Sequence, residues 1–143
     1  MNEIAVYSLR LVKEHDQKYA KTDIKSPLQL ARLVDEMFDL SNRPNEMLVM
    51  ICVNTQLNVT GGHVISIGTL NESLSSPRDI YKAALLNNAY GIMLAHNHPA
   101  GDPKASDEDL RTTRLVLEAG AIIGIKLLDH VIIWGKDEHG YLF

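Results

Sequence analysis

One stretch of fourteen residues constrains the fold more than any other: His96-Asn97-His98-Pro99-Ala100-Gly101-Asp102-Pro103-Lys104-Ala105-Ser106-Asp107-Glu108-Asp109. It follows Tyr90-Gly91-Ile92-Met93-Leu94-Ala95, a short, mostly apolar run of the kind that fills a buried strand. Side chains alternate across a strand, so His96 and His98 at the end of that run face the same side. Pro99, Gly101 and Pro103 mark a loop. From Ser106 the pattern turns helical, with apolar residues at Leu110, Thr113, Leu115, Val116 and Leu117 and a stop expected at Gly120. A chain that must run buried strand, loop and helix in succession is read as α/β.

The same stretch gathers two imidazoles, a hydroxyl and a carboxylate. Ser106-Asp107-Glu108-Asp109 reads as a capping box, with Ser106 at the N-cap and the acidic fourth residue reaching back. His96 and His98 by themselves are compatible with a polar strand end. Taken with Asp109 in the first helical turn, they offer nitrogen and oxygen ligands to zinc and leave a position open for water, as a catalytic zinc requires. Capping and ligation are compatible.

Water activated by zinc needs a proton acceptor. Glu46 stands directly before Met47-Leu48-Val49-Met50-Ile51-Cys52-Val53, an apolar run of strand length, and after the breaker Asn42-Arg43-Pro44-Asn45. A carboxylate at a strand edge serves equally as a solvated charge or as a group reaching into a cleft, and position alone leaves both readings standing.

The order Glu46, His96-x-His98, seven residues, Ser106, two residues, Asp109 resembles the JAMM motif of the MPN/JAB metallopeptidase-like superfamily. Gly68-Thr69-Leu70-Asn71, Pro77-Arg78-Asp79-Ile80, the run from Leu94 to Asp102, and Leu128-Asp129-His130 resemble the RadC branch of bacterial JAB-domain proteins, over about Ser26 to Trp134. The resemblance implies a mixed β-sheet flanked by helices, with a cytidine-deaminase-like architecture. It implies zinc held by His96, His98 and Asp109, Glu46 as general acid/base, and Ser106 donating to the oxyanion. The implied reaction is hydrolysis of a peptide or isopeptide bond in a peptide or protein substrate. Glu72 is the second candidate for the base. Asn97 stands where eukaryotic relatives often carry Ser or Thr and is usual in the RadC branch. Asp129 and His130 are assigned a supporting role behind the ligands.

RadC proteins commonly carry a helix-hairpin-helix region ahead of this domain, and none fits into the first 25 residues, so one JAB domain is expected over residues 1–143. A DNA role resting on that region is weakened. The alternative is a non-catalytic, zinc-containing binding module associated with DNA repair or conjugation.

Composition narrows the classes further. At 143 residues and 45% hydrophobic, the chain has material for one core. A net charge of -4 argues against a broad phosphate-binding face, leaving nucleic acid only local patches, and Arg111 and Arg114 read as solvated. With no signal sequence, no apolar run of membrane length and one cysteine, Cys52, cytoplasmic residence is expected and an internal disulfide is excluded. Nothing specifies an oligomeric state. HNH nucleases spread their motif over a ββα-metal unit, so the consecutive His96-Asn97-His98 is a coincidence of letters. A zinc deaminase needs a Pro-Cys-x-x-Cys pair that the chain lacks.

The remaining pattern predicts a strand over Ile4–Val12 and a helix from Pro27, capped by Ser26, with Leu30, Leu33, Val34, Met37 and Phe38 inward. A strand over Val59–Leu70, bulged near Gly61-Gly62, should pair with the one after Glu46. A helix from Pro77 should bury Ile80, Ala83, Ala84 and Leu85, and strands over Ile122–Leu127 and His130–Trp134 should complete the sheet. His15, His63 and His139 read as exposed.

Overall fold

The computed structural model describes residues 1–19, 23–68, 76–137 and 140–142. Strand β1 (Met47–Val53) and strand β2 (Val59–Ile67) form an antiparallel hairpin. Asn54 builds its turn, the side-chain oxygen accepting from the backbone N–H groups of Gln56 and Asn58, both at 3.0 Å. On its other side β1 pairs antiparallel with β3 (Gly91–Asn97), and β3 pairs parallel with β4 (Lys126–Ile133). The order is β2-β1-β3-β4, a mixed sheet as expected. A short hairpin of β5 (Gly135–Asp137) and β6 (Gly140–Leu142) follows.

Helix α1 (Pro27–Phe38) covers one face and helices α2 (Pro77–Leu86) and α3 (Asp107–Ile123) the other. Strand periodicity sorts the core. Val49, Ile51 and Val53 with Met93 and Ala95 pack toward Leu30, Leu33 and Val34 of α1. Leu48, Met50 and Cys52 with Ile92 and Leu94 pack toward Ile80, Tyr81 and Ala84 of α2 and Val116 of α3. Because β1 and β3 are interior strands apolar on both faces, every residue of each is buried. Burial in this core pushes the Cys52 thiol up to about 12.

Several expectations are corrected. Residues 4–12 form no strand, and Ile4 and Val6 remain 91% and 92% exposed. Alternation supplies a strand with two faces but not with a neighbour to bond. Helix α3 does not stop at Gly120. It runs on to a left-handed cap at Gly124, φ 86°, so residues 122 and 123 are helical and one strand, β4, replaces the two expected near the C-terminus. The glycine at 120 answers to packing: a Cβ there would collide with the Tyr81 hydroxyl and the Ile125 carbonyl. Leu85 of α2, expected in the core, is exposed, and the buried stripe of α3 is Asp109, Thr112, Val116 and Gly120. The bulges of β2 fall where Thr60 and Ile65 have no partner in β1, one residue from the expected Gly61. His63 is half-buried in β2, its Nε2 2.8 Å from Asn87 Oδ1. Leu70 and His139 lie outside the described residues.

Candidate metal centre

The centre follows from the parity of β3. Ile92 and Leu94 face α2 and α3, so His96 continues that set and His98, one residue past the strand, keeps the same side. The chain then turns sharply. His98 N–H donates to the Ile133 carbonyl at 2.9 Å, Gly101 N–H donates to the His98 carbonyl at 3.0 Å, and Gly101 takes φ 80°, where glycine is strain-free. After this loop α3 begins with its N-terminus at the strand end. Ser106 caps it, Oγ accepting from Asp109 N–H at 3.0 Å, and Asp109 Oδ2 accepts from Ser106 N–H at 2.9 Å. The capping box sets the Asp109 rotamer, so the cap and the ligand set are built from the same bonds.

Three donors converge here. His96 Nε2 and His98 Nε2 are 3.1 Å apart, Asp109 Oδ2 lies 3.0 Å from His98 Nε2, and Oδ1 lies 3.3 Å from His96 Nε2. Metal–ligand bonds of about 2.0–2.1 Å in a tetrahedron put ligand atoms about 3.3 Å apart, so these atoms are spaced to share one small ion. The chemistry of the set agrees. His98 Nδ1 donates to the Asp102 carbonyl at 2.8 Å, which leaves Nε2 as the ring atom that faces the Asp109 carboxylate, itself only an acceptor. A cation shared by the three donors would hold them at these distances. His96 is fully buried and Asp109 is 7% exposed. Burial raises the Asp109 pKa, but the neighbouring His96 ring and the hydrogen bond from the Ser106 backbone outweigh it and hold the carboxyl well below the ordinary carboxylate range. Asp109 is therefore an anion, as a ligand must be.

Two side chains that sequence reading left in the background support the centre. His130 Nε2 lies 2.8 Å from His96 Nδ1, and His130 Nδ1 lies 2.7 Å from Thr113 Oγ1, which donates to the Asp109 carbonyl at 3.0 Å. Burial first, then neighbouring His96, push His130 down to about 3, against the opposing pull of Asp109. Asn97, of opposite parity to the two histidines, turns toward the segment before β1. Its Oδ1 accepts from Met47 N–H at 2.7 Å, and its Nδ2 donates to the Asn45 carbonyl at 3.1 Å and the Arg43 carbonyl at 3.4 Å. The buried amide thus grips the backbone on both sides of Glu46. Asp129 has a local role, accepting from His130 N–H at 2.8 Å.

Glu46 is half-buried and lines a cleft of about 400 Å³ together with His98, Asp102, Lys104 and Ser106. The structure therefore brings Glu46 and Ser106 to a cleft shared with His98 of the His96, His98 and Asp109 cluster, across the fifty positions that separate Glu46 from His96 in sequence. Glu72 lies outside the described residues. The helical position of Thr113, one turn after Asp109, is legible in sequence. That His130 meets it is not, because the meeting needs the parallel β3/β4 register, with Leu94 opposite His130 and His96 opposite Ile132.

Comparison with known proteins places these features in a wider set. A family model described as the RadC-like JAB domain matches residues 24–141. A UPF0758 protein of Thermotoga maritima is 39% identical over 124 residues, 87% of this chain and 54% of that protein. UPF0758 proteins of Moorella thermoacetica and Desulforamulus reducens are each 44% identical, over 80% and 77% of this chain and 49% and 48% of their own lengths. The chain spans about half the length of the curated relatives it matches.

Proposed function

Because this chain belongs to the RadC-like JAB domain family, and because its His96, His98 and Asp109 could together hold a metal ion, we propose that it is a zinc-dependent hydrolase cleaving a peptide or isopeptide bond. The observation that carries this reading is the convergence of the three donors beside a cleft that Glu46 and Ser106 also line. When bound, zinc supplies Lewis acidity, polarising a carbonyl and lowering the pKa of water. Glu46, at the cleft, would accept a proton from an attacking water and return it to the leaving amine. Ser106 Oγ accepts from Asp109 N–H, so its own proton is free to stabilise a developing oxyanion. Asn97 holds Glu46 at the rim by fixing the backbone around it. The substrate is a peptide or protein, and residence is cytoplasmic. No helix among the described residues is long and apolar enough to cross a membrane.

The test is metal content followed by turnover. Purified chain is expected to hold one zinc, lost in Asp109→Ala. A peptide and isopeptide library is expected to be cleaved by wild type, and about a hundredfold to ten-thousandfold more slowly by Glu46→Gln, which keeps the zinc. Equal cleavage by wild type, Glu46→Gln and zinc-stripped protein would refute the assignment. Zinc without any cleavage would move the reading to a binding module.

A further inference from the structure

The histidine nearest the cluster without belonging to it, His130, sits in a chain of hydrogen bonds that begins and ends at Asp109. At one end the Asp109 carboxylate faces His96 Nε2 at 3.3 Å. At the other the Asp109 carbonyl accepts from the Thr113 hydroxyl at 3.0 Å. Between them run Thr113 Oγ1 to His130 Nδ1 at 2.7 Å and His130 Nε2 to His96 Nδ1 at 2.8 Å. Each of the three hydrogen bonds from the Asp109 carbonyl to His96 Nδ1 holds one proton, and their direction is decided at the helix. A carbonyl can only accept, so the single Thr113 proton goes to Asp109. Thr113 Oγ1 must then accept from His130 Nδ1–H, and His130 Nε2, left bare, must accept from His96 Nδ1–H. The single proton of the neutral His96 ring is then on Nδ1, and the bare Nε2 is the atom that faces His98 and Asp109.

We propose that Thr113 and His130 are positioning residues that lock His96 in its Nδ1–H form and so present the Nε2 lone pair to the metal. The reverse direction, with Thr113 donating to His130, would end with a proton on His96 Nε2, in the middle of the ligand set. The relay explains why a threonine one turn after the ligand Asp109 and a histidine on the neighbouring parallel strand should both be turned inward at the same point. His98 is held in the same form independently, by the Asp102 carbonyl. The inference rests on the proposed metal centre for its use, but not for its observation, because the tautomer exists whether or not a metal is bound.

The experiment is long-range proton–nitrogen NMR of the histidine rings in the whole chain, with metal removed. Protonated Nδ1 atoms on both His96 and His130, with a bare His130 Nε2, are expected. A bare His96 Nδ1 with its proton on Nε2 overturns the relay. Thr113→Val keeps the shape and removes the hydroxyl, and Thr113→Ser restores it. Zinc affinity, measured against a competing chelator, is expected to fall about tenfold to a hundredfold in Thr113→Val and to recover in Thr113→Ser, whereas a role confined to packing would give Thr113→Ser the larger loss. If wild type takes up no zinc, the proposed function fails while the His96 tautomer still decides the relay.

Discussion

Asn97 shows how much one side chain between two ligands can carry. Its amide is 2% exposed and satisfies one backbone N–H and two carbonyls in the segment that leads into β1. An apolar replacement leaves the Met47 N–H buried without a partner, at a cost of about 1–3 kcal/mol, and releases the Asn45 and Arg43 carbonyls. Asn97→Leu is therefore expected to lower stability by about 1–3 kcal/mol. It should also weaken turnover through Glu46 more than it weakens zinc binding, because the ligands hang from the other face of β3. Denaturant midpoints and zinc titration check both halves, and an unchanged midpoint would contradict the amide's role. Ser106 and Asp109 are a contrasting pair, since each bond of their capping box also orients the ligand.

At the scale of the element, α3 couples the sheet to the site. Its buried stripe runs from the ligand Asp109 through Thr112 and Val116 to Gly120, where α2 approaches most closely through Tyr81. The Tyr81 hydroxyl donates to the Val116 carbonyl at 2.9 Å and the Ile125 carbonyl at 3.2 Å, which ties α2 to α3 and to the strand that follows. Helix propensity alone says that Gly120→Ala should stabilise by about 1 kcal/mol. The packing predicts the opposite sign, a loss of about 1–3 kcal/mol from overpacking and from displacement of Tyr81. Urea unfolding of Gly120→Ala decides between the two, and a stabilised variant would mean that the helices can separate without cost.

For the whole molecule, the metal centre joins three places far apart in the chain: the end of β3, the start of α3 and, through His130, the middle of β4. Under the proposed function, zinc bound where these meet would stabilise the folded chain as a unit. At free zinc about a hundredfold above its Kd, linkage gives about 2.7 kcal/mol, or a rise in Tm of roughly 5–12 °C for a chain of this size. Calorimetry with and without chelator is expected to show that rise in wild type and none in Asp109→Ala. A shift of equal size in both would place the ion elsewhere.

What the sequence determined by itself was local. The spacing of His96 and His98 on an apolar run, the capping box at Ser106 and Asp109, the Pro27 and Pro77 helix starts, and the apolar strand after Glu46 all depend on neighbours a few residues away, and they are found where short-range periodicity puts them. The tertiary structure decided what depends on distant partners. Ile4–Val12 has a strand's alternation but pairs with no strand of the described residues. Gly120 has a stop signal's identity but serves a contact with α2, so the helix ends four residues later. His130 meets His96 only through the parallel β3/β4 register, and Asn97 meets the Glu46 segment only because β1 lies antiparallel beside β3. Periodicity encodes which face a side chain takes. Which atoms meet across that face is set by register and packing, and these are properties of the whole chain.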